Sequence, residues 1–447
     1  MIVSKFGGTS VGDAAAIRRL VGIIAARRAE QPLVVVSALS KITDQFLALE
    51  AADPAGGFEP ALGRIVERHA TLAAELGLAP TALDRIRDDA ESLRQWDRAR
   101  GAGPWTAAER DLVIANGELW SSRLVTAALE HGGVPAAWVD ARHVIITEPD
   151  FGQAAPRLAN IRNRAARVIG PILERDVVPV TQGFIGATLD GHTTTLGRGG
   201  SDYTASLLGA ALGAERVEIW TDVDGLLTAD PRIVPEARLL AEASYHEAAE
   251  LAAFGARVLH PATQLPLIEA GIPCWVLNSF APDRPGTRIV AGARPAPIGD
   301  SPVRAIAWKK GITVVNVRAP RRLGAVEFLQ QLFAVFAHHG IAVDVLASSE
   351  VNVSVTVDEP GKIPALVTEL EALGTVTLFE RRAIVAVVGL DLRGTKGFSA
   401  RLFGAVKDVN IEVISQGASE INVTFVVEED DAIRAVRALH REFFGTS

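Results

Sequence analysis

At 447 residues, 48% hydrophobic and 22% charged, the chain has the composition of a globular protein with two or three domains and sizeable cores. A formal net charge of −8 excludes the global basic field that binds nucleic acid or an anionic membrane surface. A single cysteine, Cys274, excludes a disulfide framework, no apolar run reaches the ~18 residues of a membrane helix, and the opening MIVSKFGG lacks a secretory-signal layout; the expectation is a cytoplasmic protein.

In chain order, the apolar segment Ile2–Phe6 surrounds Lys5 and leads through Gly7-Gly8-Thr9-Ser10 into a helical stretch, Ala14–Arg28. Lysine occurs seven times against 38 arginines, and only Lys5 and Lys41 fall in the first 300 positions. A compact ammonium at position 5 therefore reads as selected. Leu33–Ser37 reads as a buried parallel strand followed by a polar turn, Ser40 to Asp44. Similar strands recur at Ala136–Val139, Val177–Thr181, Val217–Trp220 and Pro273–Leu277, with helical stretches such as Ala107–Glu130 between them. The alternation predicts an α/β fold, an open and mostly parallel sheet with helices on both faces and ligands at the carboxyl ends of its strands. Ala281–Ile298, rich in proline and glycine, reads as a boundary or linker.

Beyond that boundary the chain repeats itself: residues 326–357 match 396–427 at a constant offset, pairing Leu332-Phe333 with Leu402-Phe403 and Ser349-Glu350 with Ser419-Glu420. Each copy reads as a βαββαβ unit, with Val351, Val353, Val355 and Val357 alternating along one half-buried strand. Asp344 of the first copy corresponds to Ile414 of the second, so a cationic or zwitterionic ligand would favour the first; otherwise Asp344 is a solvated turn residue.

Several segments carry chemistry. Lys5 with Gly7, Gly8 and Ser10 offers a cation and backbone donors at a strand-to-helix junction. In TTLGRGGSDYTA (194–205), Arg198 lies among three glycines just before a helical run, a layout suited to a carboxylate or phosphate, or to a plain turn capped by Ser201 or Asp202. Glu118, in NGELWS, is either a surface helix residue or a partner for an ammonium group. Ser37 and Thr43 lie in turns after the second strand, and Thr221-Asp222 follows a parallel strand ahead of Thr228–Arg232. Neither GxxxxGK[ST] nor a helix-opening GxGxxG is present, which argues against P-loop, protein-kinase and dinucleotide-binding chemistry.

Taken together, KFGGTSV (5–11), NGELWS (116–121), TTLGRGGSDYTA, IWTDVDG (219–225), TADPR (228–232) and FGARVLHPAT (254–263) resemble the aspartate kinases of the amino-acid kinase family. The likeness runs from residue 2 to about residue 445. The duplicated module resembles their paired ACT domains, and VDVLASSEVNVSV (343–355) resembles the effector site of the monofunctional, lysine-sensitive type. The resemblance implies ATP-dependent phosphorylation of the L-aspartate β-carboxylate with Mg²⁺, opening lysine, threonine and methionine biosynthesis, in an ACT-linked homodimer inhibited by lysine. It implies a catalytic domain over 1–292, a linker and a strand given to the second ACT domain over 293–312, and ACT domains over 313–382 and 383–447. Lys5 and Asp202 would be catalytic. Ser37, Thr43, Glu118, Phe184, Arg198 and Ser201 would hold aspartate, with Glu118 on its ammonium and Arg198 on its α-carboxylate. Lys5, Gly7, Gly8, Ser10, Thr221, Asp222, Leu227, Arg232, Arg257 and Val258 would contact ATP, although Leu227 replaces the family's tyrosine and Arg257 its lysine. Asp344, Ser348, Ser349 and Glu350 would bind the effector. The alternatives are a glutamate-type amino-acid kinase or a non-catalytic ACT sensor. KFGGTSV and the duplicated module speak against the first, the joint presence of Lys5, Glu118, Arg198 and Asp202 against the second.

Overall fold

The wholly apolar run Pro32–Val36, and Ile2–Phe6 with Ser4 and Lys5 set among apolar residues, are buried at every position. Such runs are stable as strands covered by helices on both sides. The computed structural model describes residues 1–52, 57–101, 103–255, 261–292, 301–319, 325–349 and 352–445. The chain forms two units, the first made of Met1–Leu226, Ala241–Tyr245 and Val258–Ala293, the second of Leu227–Leu240, His246–Arg257 and Arg294–Ser447.

The strands of the first unit are β1 (Ile2–Phe6), β2 (Pro32–Val36), β3 (Ala136–Val139), β4 (Val178–Gln182), β5 (Ile185–Ala187), β6 (Thr193–Thr195), β7 (Arg216–Thr221), β8 (Glu242–Ser244), β9 (Cys274–Asn278) and β10 (Thr287–Val290). Eight of them form one sheet in the order β3-β4-β2-β1-β7-β9-β10-β8, and β5 and β6 form a separate antiparallel pair. All neighbours in the large sheet run parallel except β9 and β10. The chain builds outward from β1 in both directions, which opens a crevice at the carboxyl edge beside it. Phe6 stacks on the buried Trp220 at 5.9 Å across the β1–β7 pair.

Two local features depart from expectation. The segment read as a linker contains β10, because Gly286 turns the chain back at φ +69, where a side chain would strike the Val276 carbonyl. The stretch Ala107–Glu130 is two helices, Ala107–Ile114 and Asn116–His131. Asn116 donates its side-chain amide to the carbonyls of Leu112 and Val113, competing with the backbone ladder at the junction.

In the second unit β11 (Val303–Arg318), β12 (Leu346–Ser348), β13 (Asn352–Val357), β14 (Thr375–Gly389), β15 (Val413–Gln416) and β16 (Asn422–Glu428) form an antiparallel sheet in the order β12-β13-β11-β14-β16-β15. The first half of β11, up to Lys309, pairs only with the end of β14, and the second half, from Thr313, also pairs with β13. Val303 and Ile306 accordingly share a core with Val387, Leu402 and Phe425 of the second repeat, while Val315 and Val317 pack with Phe328, Leu332 and Leu366 of the first. Ala229, Ile233 and Val234 join the second repeat's core, and Ile306 donates its N–H to the Thr228 carbonyl. That packing draws residues 227–240 out of the first unit. Among the described residues no helix is long and apolar enough to cross a membrane.

Candidate functional site

Parallel strands in register end together, so the loops that leave them emerge side by side. Phe6 pairs with Val36 and Trp220, and Val36 pairs with Gln182. Just past these positions the loops are laced by backbone hydrogen bonds: Ser37 N–H to Phe6 O (3.1 Å), Gly183 N–H to Val36 O (2.8 Å), Gly7 N–H to Trp220 O (3.2 Å) and Ser279 N–H to Thr221 O (2.9 Å). One sheet edge thus gathers Lys5, Gly7, Gly8, Ser37, Phe184, Thr221 and Asp222.

Lys5, the penultimate residue of β1, is 9% exposed, and its Nζ lies 2.6 Å from Asp202 Oδ1. The two form a close, largely buried ion pair. Gly7 gives its N–H to Trp220, so its contribution is space: a side chain there would begin 3.6 Å from Lys5 Nζ. Gly8 lies as close to the Ala38 carbonyl, where a Cβ would approach to 3.1 Å. Ser10 is turned inward, its hydroxyl 3.2 Å from Trp220 O and 2.8 Å from Ser279 Oγ, so it locks the loop.

The break between the two helices places Glu118 in the first turn of Asn116–His131, where the helix dipole favours a negative charge. Burial outweighs the dipole. Glu118 is 3% exposed, Oε1 accepts the Ala38 N–H at 3.3 Å, and Oε2 has no partner. Burial pushes its pKa up to about 8, against hydrogen bonds that pull it down. Ser121 ties the same turn to the Ser37 carbonyl at 2.8 Å, bringing the two segments together. Thr43, expected in a turn, sits half-buried in the first turn of the helix Ile42–Ala52.

The glycine-rich loop runs from β6 into the helix Gly200–Leu212. Its cap is Gly199 at φ +72 with no side-chain bond, so Ser201 and Asp202 are first-turn residues and neither is the cap. Gly183 packs so tightly on Ser201 that a Cβ would meet it at 2.5 Å. Phe184 is half-buried at φ +70, a left-handed conformation costing on the order of 1–3 kcal/mol for such a side chain. Its N–H goes to Thr204 Oγ1 (3.0 Å), and its carbonyl accepts from Leu196 N–H (2.8 Å). Arg198 is exposed and has no hydrogen bond or ion pair among the described residues.

Thr221 is half-buried and Asp222 exposed, with the threonine hydroxyl 3.2 Å from Asp222 Oδ1. Leu227 and Arg232 belong to the second unit. There Leu227 bridges to Leu239, and Arg232 is held by both oxygens of Asp230 (2.9 and 2.7 Å). Arg257, Val258 and Glu350 lie outside the described residues. In the first repeat Asp344 is ion-paired with Lys309 at 2.6 Å, and Ser348 and Ser349 are exposed. Lys309 also reaches Asp358 at 2.7 Å; burial pulls its pKa down, but the two carboxylates outweigh that and raise it.

Reading the sequence missed Asp111, Ser279 and Lys309. Asp111 is buried and accepts from Thr195 N–H and Oγ1 and from Gly152 N–H, all within 2.9 Å, so it fixes the approach to the glycine-rich loop. No local motif marks it. The signal for Lys309 was its position among the few lysines, most of which follow residue 300.

The arrangement offers a cation, an unpaired buried carboxylate and a free guanidinium around a glycine-lined edge, which suits a small zwitterionic acid beside a phosphate. Comparison with known proteins agrees. The amino acid kinase family model matches residues 1–278, and an ACT domain model matches residues 385–443. The chain is 39% identical to lysine-sensitive aspartokinase 3 of Escherichia coli, covering 99% of both proteins. It is 36% identical to the chloroplastic aspartokinase 1 of Arabidopsis thaliana, covering 99% of this chain and 80% of that protein. Among solved structures, E. coli aspartokinase III with aspartate and ADP superposes with a TM-score of 0.85 at 37% identity, covering 99% of this chain and 100% of that one. The same enzyme with lysine and aspartate also gives 0.85, at 38% identity and 99% coverage of each chain.

Proposed function

The chain belongs to the amino acid kinase family, and from that premise we propose that it is an aspartate kinase, an ATP:L-aspartate 4-phosphotransferase yielding 4-phospho-L-aspartate and ADP. The observation that carries this reading is Glu118, a buried carboxylate with one oxygen unpaired, at the sheet edge that also carries Lys5. A buried acid of this kind is stabilised by a cation that arrives with the ligand, and the α-ammonium of an amino acid supplies one.

The substrate's β-carboxylate, with a pKa near ~4, is ionised at neutral pH and attacks the γ-phosphorus without a general base. One oxygen–phosphorus bond forms as the bond to the β,γ-bridging oxygen breaks, and ADP leaves with that electron pair. The protein's work is placement and charge neutralisation. Lys5 faces the transferring phosphoryl group, held in place by Asp202. Arg198 takes the α-carboxylate as a fork, Glu118 the ammonium, and Ser37, Thr43, Ser201 and Phe184 wall the pocket. Thr221 and Asp222 serve the nucleotide. Mg²⁺ would accompany the nucleotide at this edge, beside Lys5 and Asp202. When bound it supplies positive charge to the β- and γ-phosphates.

Lysine is the effector this reading assigns to the first repeat, at Asp344, Ser348, Ser349 and Glu350. The domain plan we favour is catalytic over 1–292, a linking strand over 293–312, and ACT units over 313–382 and 383–447, with β11 shared between them. Exposed Leu346, Phe379 and Ile414 on the repeat sheet support assembly as a homodimer there. A lone, buried cysteine supports a reducing cytoplasm. A hydroxamate assay tests the activity. Wild type turns over only with both ATP and aspartate, and Lys5→Ala lowers kcat by on the order of 10³-fold. Absence of aspartate-dependent turnover in the wild type overturns the reading.

A further inference from the structure

The first repeat carries a side-chain cluster that phosphoryl transfer does not use. The helix Ala325–His338 ends on His338, and His339 closes the last turn by donating its N–H to the Val335 carbonyl at 3.1 Å. Opposite them, on the helix Ile363–Leu370, stands Glu369. His338 Nδ1 and His339 Nε2 lie 3.3 and 3.1 Å from one and the same oxygen, Glu369 Oε2. The three ligating atoms lie within 4.8 Å of one another. In a tetrahedral site with bonds of ~2.0–2.1 Å, neighbouring ligand atoms sit ~3.4 Å apart. The nitrogen–oxygen edges are therefore already formed, and only the nitrogen–nitrogen edge has to tighten.

We propose that His338, His339 and Glu369 bind one zinc-class divalent cation, with the remaining coordination position open to solvent. The donor chemistry selects the metal: two imidazole nitrogens and one carboxylate suit zinc and its late first-row neighbours, whereas Mg²⁺ and Ca²⁺ require oxygen ligands. The backbones are held before the metal arrives, because Phe328, Leu332 and Phe336 of one helix share a core with Ile363, Leu366 and Leu370 of the other. Entry is open, since the His338 side chain is 70% exposed. The second repeat lacks the set: Asp408 and Val409 occupy the positions that correspond to the two histidines. The site is thus a property of the first copy, and it does not depend on the identity of the phosphorylated substrate.

Titration calorimetry of ZnCl₂ into the chelator-stripped full chain, with ~5 mM Mg²⁺ present throughout, tests this. The expected result is one site per chain with Kd on the order of 10⁻⁶ M, weakened at least 100-fold in His338→Ala/His339→Ala and about 10-fold in Glu369→Gln. Co²⁺ should give visible d–d bands of low-coordinate geometry in the wild type, absent from the double variant. If the double variant folds poorly, Glu369→Gln and His338→Asn provide the same comparison one ligand at a time. Zinc binding of equal strength in all variants, or none at 100-fold the expected Kd, overturns the proposal.

Discussion

Two glutamates lie buried in the first unit, at different depths of one architecture. Glu218, in the middle of β7, is 1% exposed and receives hydrogen bonds from Ser4, Arg27, Arg216 and Trp220. Glu118, at the carboxyl edge, is 3% exposed and is met by backbone N–H groups, that of Ala38 at 3.3 Å, with no arginine or other side-chain donor on it among the described residues. Both carry the desolvation penalty of a buried carboxylate, but only Glu218 is compensated from within the fold. Burial alone therefore does not distinguish a structural acid from a functional one. The number of donors left for a ligand to provide does.

Glu118→Gln should have the largest effect. Removing the charge that pairs with the ammonium raises the aspartate KM on the order of 100-fold or more, with little change for ATP, in steady-state kinetics. The same substitution stabilises the ligand-free protein. Because the folded pKa is raised to about 8, the acid's favourable contribution is complete below its unfolded pKa near 4.5 and is lost as pH rises through 8. Melts at pH 9 should favour the variant by a few kcal/mol, on the order of the free energy of the shift, and melts near pH 4 should show no difference.

Glu218→Gln should behave in the opposite sense. Its amide nitrogen would face the Arg and Trp donors, so stability falls by about 2–4 kcal/mol in denaturant melts while the aspartate KM stays within about twofold. A large KM effect from Glu218→Gln would break the distinction. Arg198→Ala, at an exposed side chain, is the mildest of the three: an aspartate KM raised about 10- to 100-fold, ATP KM unchanged, and melting unchanged.

Where one short segment carries both shape and chemistry, function was legible in the sequence. Lys5 with its glycines and Arg198 with its own are such segments, and the buried strand β2 beside the first of them follows from an unbroken apolar run. Glu118 was legible as a helix residue, but its unpaired oxygen was not, because that depends on what Ala38 and Ser37 bring from another strand. The helix break at Ala115 was hidden because Asn116 is neutral in a pattern that otherwise continues, and β10 was hidden inside a segment whose prolines and Gly286 signal turns. The excursion of residues 227–240 rests on Ala229, Ile233 and Val234 finding the second repeat's core, a choice no local pattern records. Likewise Lys309 meets Asp344 only because the strand carrying it runs into the sheet beside the first repeat.

The central claim, that Glu118 waits uncharged for the substrate's ammonium, is tested most directly by counting protons. Aspartate is titrated calorimetrically into the protein, saturated with a non-hydrolysable ATP analogue, in buffers of different ionisation enthalpy. With a pKa of about 8 the free acid is mostly protonated at pH 7, and pairing with the ammonium ionises it. Close to one proton should be released per aspartate at pH 7, falling toward zero above pH 9 and absent in Glu118→Gln. Binding at pH 7 without proton release, or with the same release in Glu118→Gln, would contradict it.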